Sequence, residues 1–223
     1  MFFKNDPWWE INKSHFWDGD VSISQLQLAK EHNFRIRKLI PPSNQKEKIC
    51  LDVGCGSGLF SEQIIKKGYD VIGTDYDERA IKLAKERGIN TIQVDVEREK
   101  IPFENQTFDL IVCCEVIEHI KNPHNMLKEI HRVLKDDGFF VITTPNIAWW
   151  YLRLKMLFGI WGVIEPDHIR FFTPRSLKEC LDFFGFKVIK VASLFNLPRL
   201  GIRELPYGHS ISYNFGFQCI KKR

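Results

Sequence analysis

Three glycines spaced G-x-G-x-G (Gly54, Gly56 and Gly58) stand between the apolar run KICLDV and the helical run LFSEQIIKKG. A strand that empties into such a loop and then a helix brings bare backbone N–H groups and a helix N-terminus to one point. That arrangement suits a closely held small molecule. The order then repeats. YDVIGTD reads as a strand and DERAIKLAKERG as a helix closed by Gly88; INTIQVD is a third strand and FDLIVCCEV a fourth. NPHNMLKEIHRVLKDDG is a helix with Met126, Leu127, Ile130, Val133 and Leu134 on one face, and GFFVITTPN is a fifth strand. Strands alternating with helices over short links specify βαβ units and a mostly parallel α/β sheet.

Past Asn146 the rhythm changes. Residues 147–164, IAWWYLRLKMLFGIWGVI, are densely apolar, with Arg153 and Lys155 as the only charges. TPRSLKECLDFFG predicts a helix capped by Thr173, with Pro174 in its first turn, and FKVIKVAS and YNFGFQCIKKR supply two last strands. Residues 21–40 read as one amphipathic helix and 1–20 as irregular and aromatic. The expected division is an N-terminal cap over 1–46 and a sheet domain over 47–223, carrying an aromatic insertion at 147–172.

Composition removes several classes. The 32 basic and 28 acidic residues give a net charge of +4 and are interleaved, which argues against nucleic acid as a partner. The six cysteines show no C-x-x-C and no disulfide-scaffold spacing, which reads as reduced, cytoplasmic usage. Cys113 and Cys114 adjoin on a strand and so point to opposite faces. MFFKNDPWWE lacks the apolar core of a signal peptide, and no run of ~18 apolar residues predicts a membrane span.

The glycine loop is not that of a nicotinamide site. G-x-G-x-x-G would put a small residue where this chain has Leu59, and no Lys-Ser/Thr pair follows to make a phosphate loop. Three acids sit at successive strand ends instead: Asp52 before the loop, Asp75 at 21 residues past Gly54, and Asp95 after the third strand. They suit a ligand with a ribose and positive charge but no phosphates. The competing reading makes Asp75 and Asp95 turn or N-cap residues.

Together, LDVGCGSG, GTDYDERAIKLA, QVDVE, FDLIVCCEVIEHI, LKEIHRVLKDDGFFVITTPN and HIRFFTPRSLKECLDFFGF resemble the class I S-adenosylmethionine-dependent methyltransferases, in their type 11 group, over residues 48–193. That group includes the O-methyltransferases of ubiquinone biosynthesis. The resemblance implies a Rossmann-like, seven-stranded, mostly parallel sheet with helices on both faces and the last strand antiparallel, under a small cap made by the N-terminus and the segment after the fifth strand. It implies that Asp52 and the loop Gly54, Cys55, Gly56 and Gly58 hold the methionine moiety. Asp75 would take the ribose, Tyr76 would lie against the adenine, Asp95 would contact the adenine amine with the Val96 N–H as the next backbone donor, and Cys114 would line the cofactor.

Methyl transfer from a sulfonium needs an aligned acceptor and, for a hydroxyl, removal of a proton. The segment EVIEHI carries candidates for both. Glu115, Glu118 and His119 share one face if it is helical, and an imidazole is a natural base near neutral pH. Alternatively the two carboxylates and the imidazole hold a divalent ion. The ubiquinone-pathway enzymes and small-RNA 2′-O-methyltransferases are similar here and use such residues for Mg2+ or Mn2+, with His168 of DHIRFF as a fourth ligand by that comparison. His124 and His131 read as surface residues. All six tryptophans fall in the segments expected to build the acceptor pocket, with Trp9, Trp17, Trp149 and Trp150 as candidate contacts. A small ring-bearing, glycan- or lipid-linked acceptor and a peripheral membrane contact are the expected partners. RNA 2′-O-methylation and a non-catalytic cofactor-binding subunit are the alternatives.

Overall fold

The computed structural model describes residues 38–43, 47–160, 168–194 and 212–222. The expected N-terminal helix and aromatic segment lie outside these residues, apart from the helical Lys38 and Leu39. The strands are β1 (Ile49–Val53), β2 (Asp70–Asp75), β3 (Asn90–Gln93), β4 (Phe108–Cys114), β5 (Leu134–Pro145), β6 (Phe186–Leu194) and β7 (Asn214–Lys221). The helices are α1 (Leu59–Ile65), α2 (Glu78–Glu86), α3 (Pro123–Val133), α4 (Trp150–Leu157) and α5 (Pro174–Phe183).

The strands form one sheet of order β3-β2-β1-β4-β5-β7-β6. All pairings are parallel except those of β7, which runs antiparallel to both neighbours. The chain leaves β1 towards β2 and later returns on the other side as β4, so the strand order reverses at β1. A crevice therefore opens outside the carboxyl ends of β1 and β4. The register brings those ends level: Val53 faces both Thr74 and Cys113, and Cys114 faces Thr143.

Local chemistry fixes the helix ends. Asp77 caps α2 by accepting from the Arg79 N–H, Asn122 caps α3 ahead of Pro123, and Thr173 and Ser176 form a capping box on α5. One helix stops sooner than its periodicity predicts. Leu134 leaves α3 in an extended conformation (φ −70°, ψ 138°) and pairs with Phe108, so 134–138 join β5 through an irregular register. Strand pairing outweighs helix propensity there.

Both sheet faces are buried. Met126, Leu127, Ile130 and Val133 of α3 and Leu177 and Leu181 of α5 cover one face, meeting Ile111 and Cys113. Leu39, Ile40 and Ile64 cover the other, meeting Leu110, Val112 and Cys114. The two adjacent cysteines thus point to opposite faces, as their strand predicts. His124 is exposed, as expected. His131 is instead half-buried against Phe186, ring centroids 5.2 Å apart, and burial, helped by Lys221, lowers its pKa.

The long loop between β3 and β4 is fastened by Arg132. Its guanidinium donates to the carbonyls of Phe103 (2.7 Å) and Ile101 (2.8 Å) and to both oxygens of Glu129, which in turn accepts the Ile101 N–H at 3.0 Å. Burial alone would raise the Glu129 pKa, but the Arg132 and Ile101 hydrogen bonds outweigh it and hold it below its usual value. A depressed carboxyl pKa contributes stability above the unfolded value that disappears as the pH falls through the folded one. Arg132→Met should cost roughly 2–3 kcal/mol at neutral pH, the worth of hydrogen bonds to charged groups. Chemical denaturation should show that deficit shrinking as the pH drops below about 4.

Candidate cofactor and acceptor site

The glycine loop folds back onto β2 rather than standing free. The N–H groups of Gly54 and Cys55 both donate to the Thr74 carbonyl, at 2.7 and 2.9 Å. The Gly56 N–H donates to Asp75 Oδ2 at 3.0 Å, while Asp75 Oδ1 accepts the Asp77 N–H at 3.0 Å. Gly54 has φ 70° and Gly56 φ 53°, values that L side chains adopt rarely. A Cβ on Gly54 would lie 2.4 Å from Val116 Cγ2, whereas one on Gly56 would meet nothing within 4 Å. Gly54 is thus a packing requirement, and Gly56 borders open space where a ligand can approach the backbone.

Under the loop, Asp52 is 2 % exposed and its Oδ2 accepts the Ser61 hydroxyl at 2.6 Å. Cys55 turns its side chain away from the crevice, into a cluster with Ile81, Ala84 and Ile89 beside Gly73. Burial, with Asp52 and Asp75 nearby, pushes its thiol pKa up. The Cys55 backbone is engaged as well, its N–H with Thr74 and its carbonyl with the Gly58 N–H at 3.0 Å. Tyr76 is 73 % exposed at the end of β2. The Asp95 side chain accepts the Glu97 N–H at 3.0 Å and ion-pairs with Arg98, so the turn role anticipated for it is present. Val96 is buried, with its carbonyl taken by Asn125.

EVIEHI forms a turn, not a helix, so Glu115 leaves the other two candidates. Glu115 has φ 56°, and its carboxylate accepts Thr143 Oγ1 at 2.7 Å and Asn214 Nδ2 at 2.8 Å. Glu118 is buried and accepts Thr144 Oγ1 at 3.0 Å. The structure does bring Glu118, His119 and His168 together: one ligating atom from each lies within 4.8 Å of the others, and the two imidazoles meet edge to face, centroids 4.7 Å apart.

Arg170 makes that meeting possible, and nothing in the sequence pattern announced it. The Ile169 and Arg170 N–H groups both donate to the Glu118 carbonyl at 3.0 Å. The Arg170 guanidinium donates to the carbonyls of Ile120 and Lys121. Basic residues that bind backbone carbonyls across 49 or 50 positions leave no local spacing to read. Trp149 is 6 % exposed and packs between Tyr151 and Tyr213, both at 5.0 Å, which makes it part of the wall's interior. Trp150 is half-buried, and its Nε1 has no hydrogen-bond partner. Trp9 and Trp17 lie outside the described residues.

A family model described as a methyltransferase domain matches residues 25–191. This chain belongs to that methyltransferase family. A ubiquinone biosynthesis O-methyltransferase of Rickettsia canadensis is 31% identical over 173 residues, 73% of this chain and 69% of that protein. A probable S-adenosylmethionine-dependent methyltransferase of Mycobacterium tuberculosis is 28% identical over 197 residues, 86% of this chain and 69% of that protein. Among solved structures, an S-adenosylmethionine-dependent methyltransferase of Archaeoglobus fulgidus superposes with a TM-score of 0.67 at 20% identity, covering 86% of this chain and 94% of the other. The protein is an S-adenosylmethionine-dependent methyltransferase, on the seven-stranded fold that its sequence predicted. No helix among the described residues is long and apolar enough to cross a membrane.

S-adenosylmethionine carries a sulfonium and an ammonium, and two carboxyl groups, Asp52 and Asp75, neighbour one another at the glycine loop. Burial pushes the Asp52 carboxyl up to about 7; the Ser61 hydrogen bond opposes the rise and the neighbouring Asp75 adds to it. A carboxyl with a raised folded pKa contributes stability that is complete below its unfolded value and is lost as the pH rises through the folded one. Thermal melts of the ligand-free protein should therefore show stability falling between about pH 4 and 7, on the order of a few kcal/mol, and Asp52→Asn should flatten that fall. Identical pH profiles for the two proteins would show that Asp52 is ionised at no cost.

Proposed function

We propose that this methyltransferase methylates a hydroxyl group on a small ring-bearing acceptor, with His119 receiving the hydroxyl proton. The convergence of Glu118, His119 and His168 on the turn whose Val116 touches Gly54 carries this reading, since it sets a base beside the cofactor loop. In the reaction an acceptor oxygen lone pair forms the new O–C bond as the S–C bond breaks. S-adenosylhomocysteine leaves, and the proton passes to imidazole. The open face of the loop at Gly56, the Asp75 carboxylate and the exposed Tyr76 ring are the groups we assign to the cofactor, with Asp52 beneath them and Asp95, Val96 and Cys114 along the rim. The name of the Rickettsia relative, an O-methyltransferase, supports a hydroxyl acceptor. The unpartnered Trp150 N–H offers a donor to an oxygen on the ring.

A second reading rests on the same three residues. One carboxylate and two imidazoles fit a divalent cation such as Mn2+ or Mg2+, and when bound such an ion would lower the pKa of an acceptor hydroxyl, of a small molecule or of RNA. Glu115 is not in that set. For partners, the exposed Leu154, Leu157, Phe158 and Ile160 at the end of α4 support peripheral contact with a lipid surface, which suits a lipid-linked acceptor.

Incubation with phenols and catechols, sugars and short RNAs, with products read by mass, separates the readings. Methylated phenol or catechol is the expected product, undiminished by chelator. His119→Ala should lower turnover by about 10²- to 10⁴-fold while S-adenosylmethionine affinity holds. Product from RNA alone, or activity abolished by chelation, would favour the metal-assisted reading; full activity in His119→Ala would remove the proposed base.

A further inference from the structure

Among the described residues of the site, Glu115 is the one non-glycine residue with a left-handed backbone, φ 56°, immediately after β4. Such a conformation costs free energy in most residues and persists where surroundings fix it. Here both carboxylate oxygens are engaged by donors from other strands: Thr143 Oγ1 of β5 at 2.7 Å and Asn214 Nδ2 of β7 at 2.8 Å. The Glu115 N–H also donates to the Thr143 carbonyl at 3.1 Å. Asn214 is 4 % exposed, and its carbonyl accepts the buried Ser212 hydroxyl at 3.0 Å, so the grip is anchored in the core. The next residue, Val116, presses on Gly54 so closely that a Cβ there would lie 2.4 Å from it.

We propose that Glu115 is a positioning residue: its carboxylate, held by Thr143 and Asn214, seats Val116 on Gly54 and so sets the affinity of the glycine loop for S-adenosylmethionine without touching the ligand. This departs from the ligand set that the sequence resemblance implies, in which Glu115 joins Glu118, His119 and His168. It rests on the glycine loop being the cofactor site, and it assigns to β7, the last strand, a role in cofactor binding.

Calorimetric titration with S-adenosylmethionine tests it at a temperature where every variant is folded. Glu115→Ala should weaken binding about tenfold, and Asn214→Ala by about the same factor, as expected for loss of charge-assisted hydrogen bonds. Because the two residues act as one unit, the double variant should bind no worse than Glu115→Ala alone. Glu115→Gln, which keeps an acceptor for Thr143, should stay within about threefold of the wild type. Wild-type affinity in both alanine variants, or losses that multiply in the double variant, would overturn the proposal. So would a Glu115→Gln as weak as Glu115→Ala, since that would place the charge itself on the ligand. Should Glu115→Ala fail to fold, Asn214→Ala and Glu115→Gln decide alone. Failure of the wild type to bind at all would instead sink the cofactor assignment.

Discussion

The contact between Val116 and Gly54 is the constraint on which the rest of the site depends. It joins the exit of β1 to the exit of β4 across the point where the strand order reverses. On one side, together with the φ of 70° at Gly54, it disfavours any residue but glycine in the first loop position. On the other it sets where the turn Val116–Ile120 begins, and therefore where His119 stands. Hydrogen bonds then complete each half: Thr74 and Asp75 hold the loop from β2, and Thr143 and Asn214 hold the turn from β5 and β7.

The two halves are built differently. The half around the glycine loop comes from contiguous βαβ chain, tied to β2 by backbone bonds to Thr74. The half around His119 is assembled from distant segments. His168 reaches His119 because Ile169 and Arg170 are stitched onto the carbonyls of Glu118, Ile120 and Lys121. Asn146, fully buried, binds the Ser212 carbonyl and caps the start of the segment leading to α4. Pieces stitched from separate parts of the chain can change without altering the sheet that carries them.

Much of this was legible in the residues. Strand alternation needed only local rules and the sheet follows it, while Asp75 accepts the Asp77 N–H as the turn residue of the competing reading would. The misreadings share a cause in long-range partners. EVIEHI has helical spacing, yet Glu115 is pulled away by Asn214, 99 residues on. Leu134 has helical neighbours, yet it pairs with Phe108. Periodicity cannot see which distant strand a side chain will meet.

Titration of S-adenosylmethionine into the wild type and Gly54→Ala tests the central claim most directly. The account predicts saturable binding to the wild type and at least about 100-fold weaker binding to the variant, because a Cβ at Gly54 must displace Val116 and distort the loop. Absence of binding to the folded wild type, or equal affinity in Gly54→Ala, would contradict it.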